Sequence, residues 1–114
     1  MQKKSSSSVR IFFPRFDCET IVEALKAKID ALRSNFPISR AILFGSYAKN
    51  NYTIRSDIDL LIICKGEVKN AFEIMKKAIA LPGLQPHVYS ETEYCEMRGT
   101  IDRMIQGGIV IYEE

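Results

Sequence analysis

The sequence predicts an α+β protein in which a mixed β-sheet of about four strands packs against helices. Short apolar runs alternate along the chain with longer segments whose apolar residues recur every three or four positions, as they do in helices that bury one side. The run from Asp57 to Cys64 is apolar on both faces beyond its first residues, which is typical of a central strand covered on both sides. The order of these elements is compatible with a single mixed sheet covered by helices.

The first half of the chain is predicted to contain a helix, a strand and a short turn. Asp17 has the side chain of an N-cap, and the helix that it begins runs to about Ser34. Pro37 ends this helix and introduces a strand at 39–44, which a short helical turn at 46–50 follows. The apolar stripe of the helix recurs at three- and four-residue steps and consists of Ile21, Val22, Leu25, Ile29 and Leu32.

The second half of the chain is predicted to contain further helices and short apolar segments. Pro86–Tyr89 is a short strand, and Ser90 followed by Glu93 is the capping-box signature of a helix behind it. Gly99 is the position at which this helix would split, and Gly107-Gly108 ends it before the final apolar segment returns to the core. An earlier helix has an apolar side formed by Ala71, Phe72, Met75, Ala78 and Ile79.

A chain of 114 residues has room for one domain with one core. We expect this domain to cover residues 9–114, and residues 1–8, with their four serines, to form a disordered tail. The apolar segment Val9–Phe13 is either an edge strand or a hydrophobic arm. No apolar run approaches the ~20 residues of a membrane span. Because the basic N-terminus also lacks the apolar region of a secretory signal, the expected location is the cytoplasm.

Charge and cysteine content argue against several kinds of partner and site. The net charge of +2 is too small to indicate nucleic acid as a partner, and the lysines and arginines are spread along the chain. The three cysteines are far apart and show no Cys-x-x-Cys spacing, so neither a zinc site nor a disulfide framework is indicated. Cys64, at the end of an apolar strand, is most simply a small core residue.

The most informative motif combines a Gly-Ser turn with two acidic residues. Gly45 and Ser46 follow the apolar strand that ends at Phe44, and a glycine there lets the backbone approach a ligand closely. Asp57 and Asp59 begin the next strand, where alternate side chains share one face about 6–7 Å apart. Two carboxylates placed in this way can bind Mg²⁺ or Mn²⁺, and backbone amides at the start of a helical turn can hold phosphate oxygens. Together these are the parts of a site for a metal-bound nucleoside triphosphate.

The segment from Ala41 to Ile63 resembles the nucleotidyltransferase superfamily that includes DNA polymerase β. An apolar strand, Gly-Ser, a short polar linker, Ser-Asp-Ile-Asp and an unbroken apolar run follow one another as they do in that superfamily. The sequence is most similar to the minimal nucleotidyltransferases (MNT-type proteins), which are small stand-alone domains of archaea and bacteria. The likeness continues more loosely through Pro86–Tyr89 to the end of the chain. It implies the polymerase β palm-like fold, with a mixed sheet of about four strands against helices.

The resemblance also implies roles for individual residues. Asp57 and Asp59 match the two family carboxylates that ligate the metal ions, and Gly45 and Ser46 match the turn that holds the triphosphate. The family's catalytic members usually carry a third carboxylate on a later strand, which helps to deprotonate the acceptor hydroxyl or completes one metal site. His87 stands at that position here. We therefore include His87 among the catalytic residues, although this departure supports nucleotide and metal binding better than it supports turnover.

Two functions follow from the resemblance. The first is a Mg-dependent nucleotidyltransferase that moves a nucleoside monophosphate, by analogy AMP, from ATP or another triphosphate to a hydroxyl. Because the chain has no acceptor-binding module, the acceptor is expected on a partner. Related minimal domains work with helical proteins of the HEPN class, in some pairs as antitoxins. The alternative is a catalytically degenerate module that binds nucleotide or a partner. This alternative is favoured by His87, which replaces the family's third carboxylate. Glu91 matches the missing carboxylate only if the alignment shifts. A homo-oligomer is compatible with either function.

Overall fold

The structure, a computed structural model, describes residues 17–53 and 56–114. The predicted tail and the segment Val9–Phe13 therefore lie outside the described residues. The described elements are, in order, α1 Cys18–Leu32, β1 Ile38–Phe44, β2 Ile58–Cys64, α2 Ala71–Ile79, β3 Leu84–Ser90, α3 Glu91–Glu96, α4 Arg98–Met104 and β4 Ile109–Glu113. None of the helices in these ranges is long and apolar enough to cross a membrane.

These strands form one mixed sheet in the order β3-β2-β1-β4. β1 runs antiparallel to both β2 and β4, whereas β2 and β3 are parallel and are joined through α2. β2 has a partner strand on each side, so the prediction of a central strand at Asp57–Cys64 is confirmed. The predicted α+β class, with a mixed sheet of four strands packed against helices, is confirmed with it.

Alternate residues of β2 point into two separate hydrophobic cores. Leu60 is fully buried in the core that α1 and α2 share with the sheet. Leu61 and Ile63 point to the other face, where they form a second core with Ile101 of α4. Because side chains alternate along a strand, Asp59 lies on the same face as Leu61, the face that carries α4.

Side-chain caps fix where two of the helices begin. Asp17 accepts a hydrogen bond from the amide of Thr20 at 2.8 Å, and α1 begins at the next residue. Ser90 and Glu93 form the predicted capping box. The Ser90 hydroxyl accepts from the Glu93 amide at 3.1 Å, and the Glu93 carboxylate accepts from the Ser90 amide at 2.9 Å. Both predicted helix starts are confirmed.

The helix behind Ser90 is interrupted at Met97, two residues before the glycine at which we expected a split. Met97 ends α3 and precedes α4, and its φ of −111° and ψ of 20° lie outside the helical region. Glycine weakens a helix without preventing helical backbone angles, so α4 passes through Gly99. After the break Ile101 is fully buried, while Met97 is 41% exposed.

The buried side of α2 differs from the predicted one at two positions. Met75 and Ile79 are fully buried as predicted. Ala78 is exposed, however, and Phe72 is 45% exposed, with the ammonium of Lys76 lying 5.6 Å from its ring centroid. Helical spacing therefore identified the face of this short helix but overestimated the width of the stripe that it buries.

Candidate active site

The Gly-Ser segment forms a compact hydrogen-bonded turn directly after β1. Gly45 has a φ of +79°, in the left-handed region that glycine adopts without a steric penalty. The amides of Lys49 and Asn51 donate to the carbonyls of Gly45 and Ser46, each at 3.1 Å. The amides of residues 46–48 donate to no backbone carbonyl among the described turns and loops, and they stand at the open start of the turn. The predicted helical turn thus forms as a set of hydrogen-bonded turns rather than a regular helix.

The register of β1 and β2 places Asp59 beside this turn. Phe44, the last residue of β1, pairs with Asp59, so the Asp59 side chain reaches the residue that follows Phe44. A Cβ atom added to Gly45 would lie 2.5 Å from Oδ2 of Asp59 and 3.3 Å from its Cγ. A side chain at this position would therefore displace the Asp59 carboxylate from its observed place. Two predicted site residues that are distant in sequence are therefore in contact.

The neighbouring strand β3 places His87 beside the carboxylate of Asp59. Nε2 of His87 is 3.4 Å from Oδ1 of Asp59, and the two side chains are 34% and 28% exposed. His87 pairs with Leu61 in the parallel ladder, which puts it on the same face as Asp59. The ring of Phe44 packs edge-on against the imidazole, with 5.1 Å between ring centroids. The structure thus brings together Gly45, Asp59 and His87.

Asp57 and Ser46 lie at the margin of this cluster. Asp57 is exposed and immediately precedes β2, and Ser46 is half-buried next to Gly45. Neither side chain makes a hydrogen bond or ion pair with another described residue. Within residues 17–53 and 56–114, no three His, Cys, Asp or Glu side chains are grouped closely enough to hold a metal ion. The two acids and His87 therefore form an open arrangement and not a closed protein cage.

Glu91, the next carboxylate along the chain, lies far from this cluster. Ser90 pairs with Cys64, at the end of β2 opposite to Asp59, and Glu91 begins α3 beyond that pair. His87, rather than Glu91, is thus the later-strand residue beside Asp59.

Tyr47, which lies in the same turn, is a core residue. It is 4% exposed, and its ring stacks on that of Tyr52 with 4.4 Å between centroids and an interplanar angle of 10°. The Tyr52 hydroxyl in turn accepts a hydrogen bond from the amide of Cys18 at 3.2 Å. Burial raises the pKa of the Tyr47 phenol. The two tyrosines therefore anchor the turn to the start of α1.

Gln85 is a polar neighbour of Asp59 that the sequence analysis did not single out. The two residues pair across the parallel ladder of β2 and β3, and Gln85 is half-buried. Gln85 and His87 are two residues apart and so share one strand face. The sequence did not predict the pairing of Gln85 with Asp59, because the predicted strand begins only at Pro86. In the structure β3 begins at Leu84.

A family model described as a nucleotidyltransferase domain matches residues 25–106, which is well over half of the chain. The chain belongs to this family. The matched range contains the Gly-Ser turn, both acidic residues and His87. The prediction of a nucleotidyltransferase, made from the resemblance of the motif, is confirmed.

Individual relatives agree with this family. A protein of Methanocaldococcus jannaschii, provisionally named a protein adenylyltransferase, is 34% identical over 73 residues, which cover 62% of this chain and 73% of the relative. A Sulfolobus solfataricus structure, provisionally described as a nucleotidyltransferase, superposes with a TM-score of 0.58 at 21% identity, covering 85% of this chain and 84% of the other. A structure of a tri-AMPylated Shewanella oneidensis HEPN toxin in complex with MNT antitoxin gives a TM-score of 0.53 at 18% identity. The match covers 82% of this chain and 73% of the other. The structural matches confirm the predicted nucleotidyltransferase fold.

Proposed function

We propose that the protein is a divalent-metal-dependent nucleotidyltransferase that transfers AMP from ATP to a hydroxyl group on a partner protein. The observation that carries this proposal is the position of one carboxylate. The oxygens of Asp59 lie against Gly45 on one side and His87 on the other. The proposed triphosphate-binding turn, one proposed metal-binding acid and a proposed proton-handling group are therefore neighbours, which supports nucleotidyl transfer.

The turn at Gly45 and Ser46 is the proposed triphosphate site. The amides of residues 46–48 are available as donors to phosphate oxygens, and Ser46 adds a hydroxyl. Lys49 is exposed on the same turn and supplies positive charge. Because β1 positions Gly45 and the buried Tyr47 holds the turn, these donors are in place before the nucleotide binds.

Asp57 and Asp59 are the proposed ligands of Mg²⁺ or Mn²⁺. Carboxylate oxygens suit these cations, which usually take one or two carboxylates and complete their coordination with water and substrate phosphates. The open arrangement of the two acids fits this use, because the phosphates supply the remaining ligands. A cation bound here would neutralise charge on the triphosphate and on the departing pyrophosphate.

In the proposed reaction, an acceptor oxygen attacks the α-phosphorus of ATP. A bond forms between these two atoms, the bond from the α-phosphorus to the oxygen that bridges to the β-phosphate breaks, and pyrophosphate leaves. The acceptor's proton passes to a base. By the family resemblance, the group at the position of His87 either takes this proton or completes a metal site, and an imidazole has the chemistry for both roles.

The acceptor is proposed to be a hydroxyl on a helical partner of the HEPN class. Asp59 and His87 are each about one third exposed, so the reacting atoms are accessible to a second macromolecule. The fold resembles that of proteins in the complex between a tri-AMPylated HEPN toxin and MNT antitoxin. The similarity to a provisionally named protein adenylyltransferase supports a protein acceptor and AMP as the transferred group.

Transfer of labelled nucleotide tests this function. The protein is co-expressed with the product of its neighbouring gene, purified, and incubated with ATP that is labelled at either the α- or the γ-phosphate. We expect the α-label and not the γ-label on the partner, and no labelling by the double variant Asp57→Asn/Asp59→Asn. Labelling from the γ-phosphate, or equal labelling by the double variant, would contradict the proposal.

A second candidate function is binding without turnover. It is favoured by His87, which stands where the family's catalytic members carry a carboxylate. In this case the native protein binds ATP with a divalent cation but labels no partner, and His87→Asp restores labelling. The native protein and this single variant, compared in the same assay, separate the two functions.

A further inference from the structure

We infer that Gln85 is an acceptor-binding residue, whose side-chain amide holds and orients the hydroxyl that attacks the α-phosphorus of ATP. The inference rests on the proposed function and deepens it, because it assigns one side of the site to the partner's hydroxyl. The roles proposed for the Gly-Ser turn, the two acids and His87 leave this contact unassigned.

The position of Gln85 in the sheet is the first argument. Gln85 pairs with Asp59 across the parallel ladder of β2 and β3, and paired residues on neighbouring strands lie about 5 Å apart. Both side chains point to the face that carries α4. On that face Ile101 of α4 packs with Leu61, whereas the Asp59 side chain, two residues earlier on β2, is 28% exposed. Gln85 therefore lies at the open end of this face, beside the proposed site.

The unused side-chain amide is the second argument. The polar atoms of the Gln85 side chain are accessible and make no hydrogen bond with another described residue. The residue is half-buried and its backbone is held by the ladder with β2, so binding costs less conformational freedom than it would on a loop. An amide offers two hydrogen-bond donors and an acceptor without a charge. It can therefore bind a hydroxyl beside an acidic group without adding repulsion.

The order of the strands is the third argument. Because the sheet order is β3-β2-β1-β4, Asp59 on β2 lies between Gly45, which follows β1, and Gln85 on β3. In an in-line displacement the attacking oxygen and the departing group lie on opposite sides of the phosphorus. With the pyrophosphate at the Gly-Ser turn and the α-phosphorus near Asp59, the attacking oxygen lies on the side of β3.

The edge position of β3 leaves this side open to a second protein. Within the described residues no strand pairs with β3 beyond β2, so a partner can reach Gln85 while ATP occupies the turn. A hydroxyl has one hydrogen and two lone pairs. When the Gln85 amide donates to one lone pair and the hydrogen points to the base, the other lone pair is directed at the α-phosphorus. Orientation of this kind lowers the barrier to attack.

Two substitutions of Gln85 and one matched control test the inference. Gln85→Met keeps the length of the side chain and removes the amide, and Gln85→Glu keeps the oxygen and removes the donor. Gln106→Met makes the first of these changes at an exposed position before β4. The purified product of the neighbouring gene is the acceptor, and its concentration is varied at saturating α-labelled ATP. Calorimetric titration measures the affinity for ATP with a divalent cation, and thermal unfolding shows that each variant is folded.

We expect Gln85→Met and Gln85→Glu to lower kcat/KM for the acceptor about tenfold, which is the effect of losing one hydrogen bond. Both variants should bind ATP with the affinity of the native protein. A residue that merely supported the fold would instead change the thermal midpoint and both measurements together. Gln106→Met should match the native protein in transfer and in ATP binding.

A native value of kcat/KM in either Gln85 variant would overturn the inference and leave the proposed function standing. A loss of ATP affinity as large as the loss of transfer would also overturn it, since Gln85 would then contact the nucleotide and not the acceptor. The absence of transfer by the native protein would contradict the proposed function itself, and the inference would fall with it.

Discussion

Oδ2 of Asp59 lies 2.5 Å from the position that a Cβ atom on Gly45 would occupy. The sequence predicts Gly45 in a phosphate-binding turn and Asp59 in a metal site, as separate features. Their contact makes them one structural unit, because a side chain at Gly45 would displace the Asp59 carboxylate. The glycine therefore has two functions, in adopting a positive φ and in leaving room for the carboxylate.

Gly45→Ala should be more damaging than the same change at another glycine with a positive φ. An alanine at φ +79° destabilises the backbone by about 1–2 kcal/mol, and at Gly45 its Cβ would also displace the Asp59 carboxylate. We expect a lower midpoint of thermal unfolding and a loss of triphosphate binding, measured by circular dichroism and calorimetry.

Gly107→Ala is the matched control for this change. Gly107 has the same φ of +79°, but a Cβ there would meet no atom within 4 Å. It should therefore show only the backbone effect and bind triphosphate normally. Equal losses of stability in the two variants, with normal binding in both, would show that the contact between Gly45 and Asp59 has no consequence.

Ser46→Ala should weaken triphosphate binding without affecting the fold. The variant removes one hydroxyl donor to a charged phosphate, which corresponds to about 1–2 kcal/mol of binding free energy. The Ser46 hydroxyl makes no hydrogen bond with another described residue, so the free energy of unfolding should be unchanged. Calorimetric titration with ATP and a divalent cation measures the first effect and urea unfolding the second. Ser34→Ala, at an exposed position beyond α1, is the control; the idea fails if both variants bind alike.

Ser90→Ala should destabilise the protein through the start of α3. The hydroxyl of Ser90 accepts a hydrogen bond from the Glu93 amide, and Ser90 is 6% exposed. Loss of such a cap lowers the free energy of unfolding by about 1 kcal/mol. Urea unfolding should show this decrease, whereas Thr92→Ala, at an exposed position in the same turn, should have a much smaller effect. An unchanged free energy of unfolding in Ser90→Ala would mean that α3 does not depend on its capping box.

The N-cap of α1 should make the stability of the folded state decrease as the pH falls in the acid range. The hydrogen bond from the Thr20 amide lowers the pKa of Asp17. The ionised carboxylate therefore stabilises the folded state above its ordinary pKa, and this contribution is lost as the pH falls through the lowered value. Asp17→Asn retains a capping side chain that does not titrate.

The measurement for this cap is the midpoint of thermal unfolding for the native protein and Asp17→Asn between pH 7 and pH 3. The advantage of the native protein should shrink below about pH 4. Because the other carboxylates titrate in both proteins, a difference that does not change with pH would argue against a charged cap.

The sequence identified the elements of the fold, and the residues that gather in the candidate site, more readily than the contacts between them. β2 was predicted as the central strand because it is apolar on both faces, and the two caps were recognised from local side-chain chemistry. The contact of Asp59 with Gly45 depends on the register of β1 and β2, which no local pattern specifies. The interruption was expected at Gly99, but the helix breaks at Met97 and α4 passes through Gly99, so the presence of a glycine did not locate the break.

Calorimetric titration of ATP with Mg²⁺ or Mn²⁺ tests most directly whether Asp57 and Asp59 hold the cation of a metal-bound triphosphate. The native protein should bind with a measurable heat that disappears when the cation is chelated. The double variant Asp57→Asn/Asp59→Asn should unfold at a similar or higher temperature, since the repulsion between the two acids is gone, and should show no cation-dependent binding. Equal affinity of the folded double variant for the metal-bound nucleotide would contradict the assignment of the site.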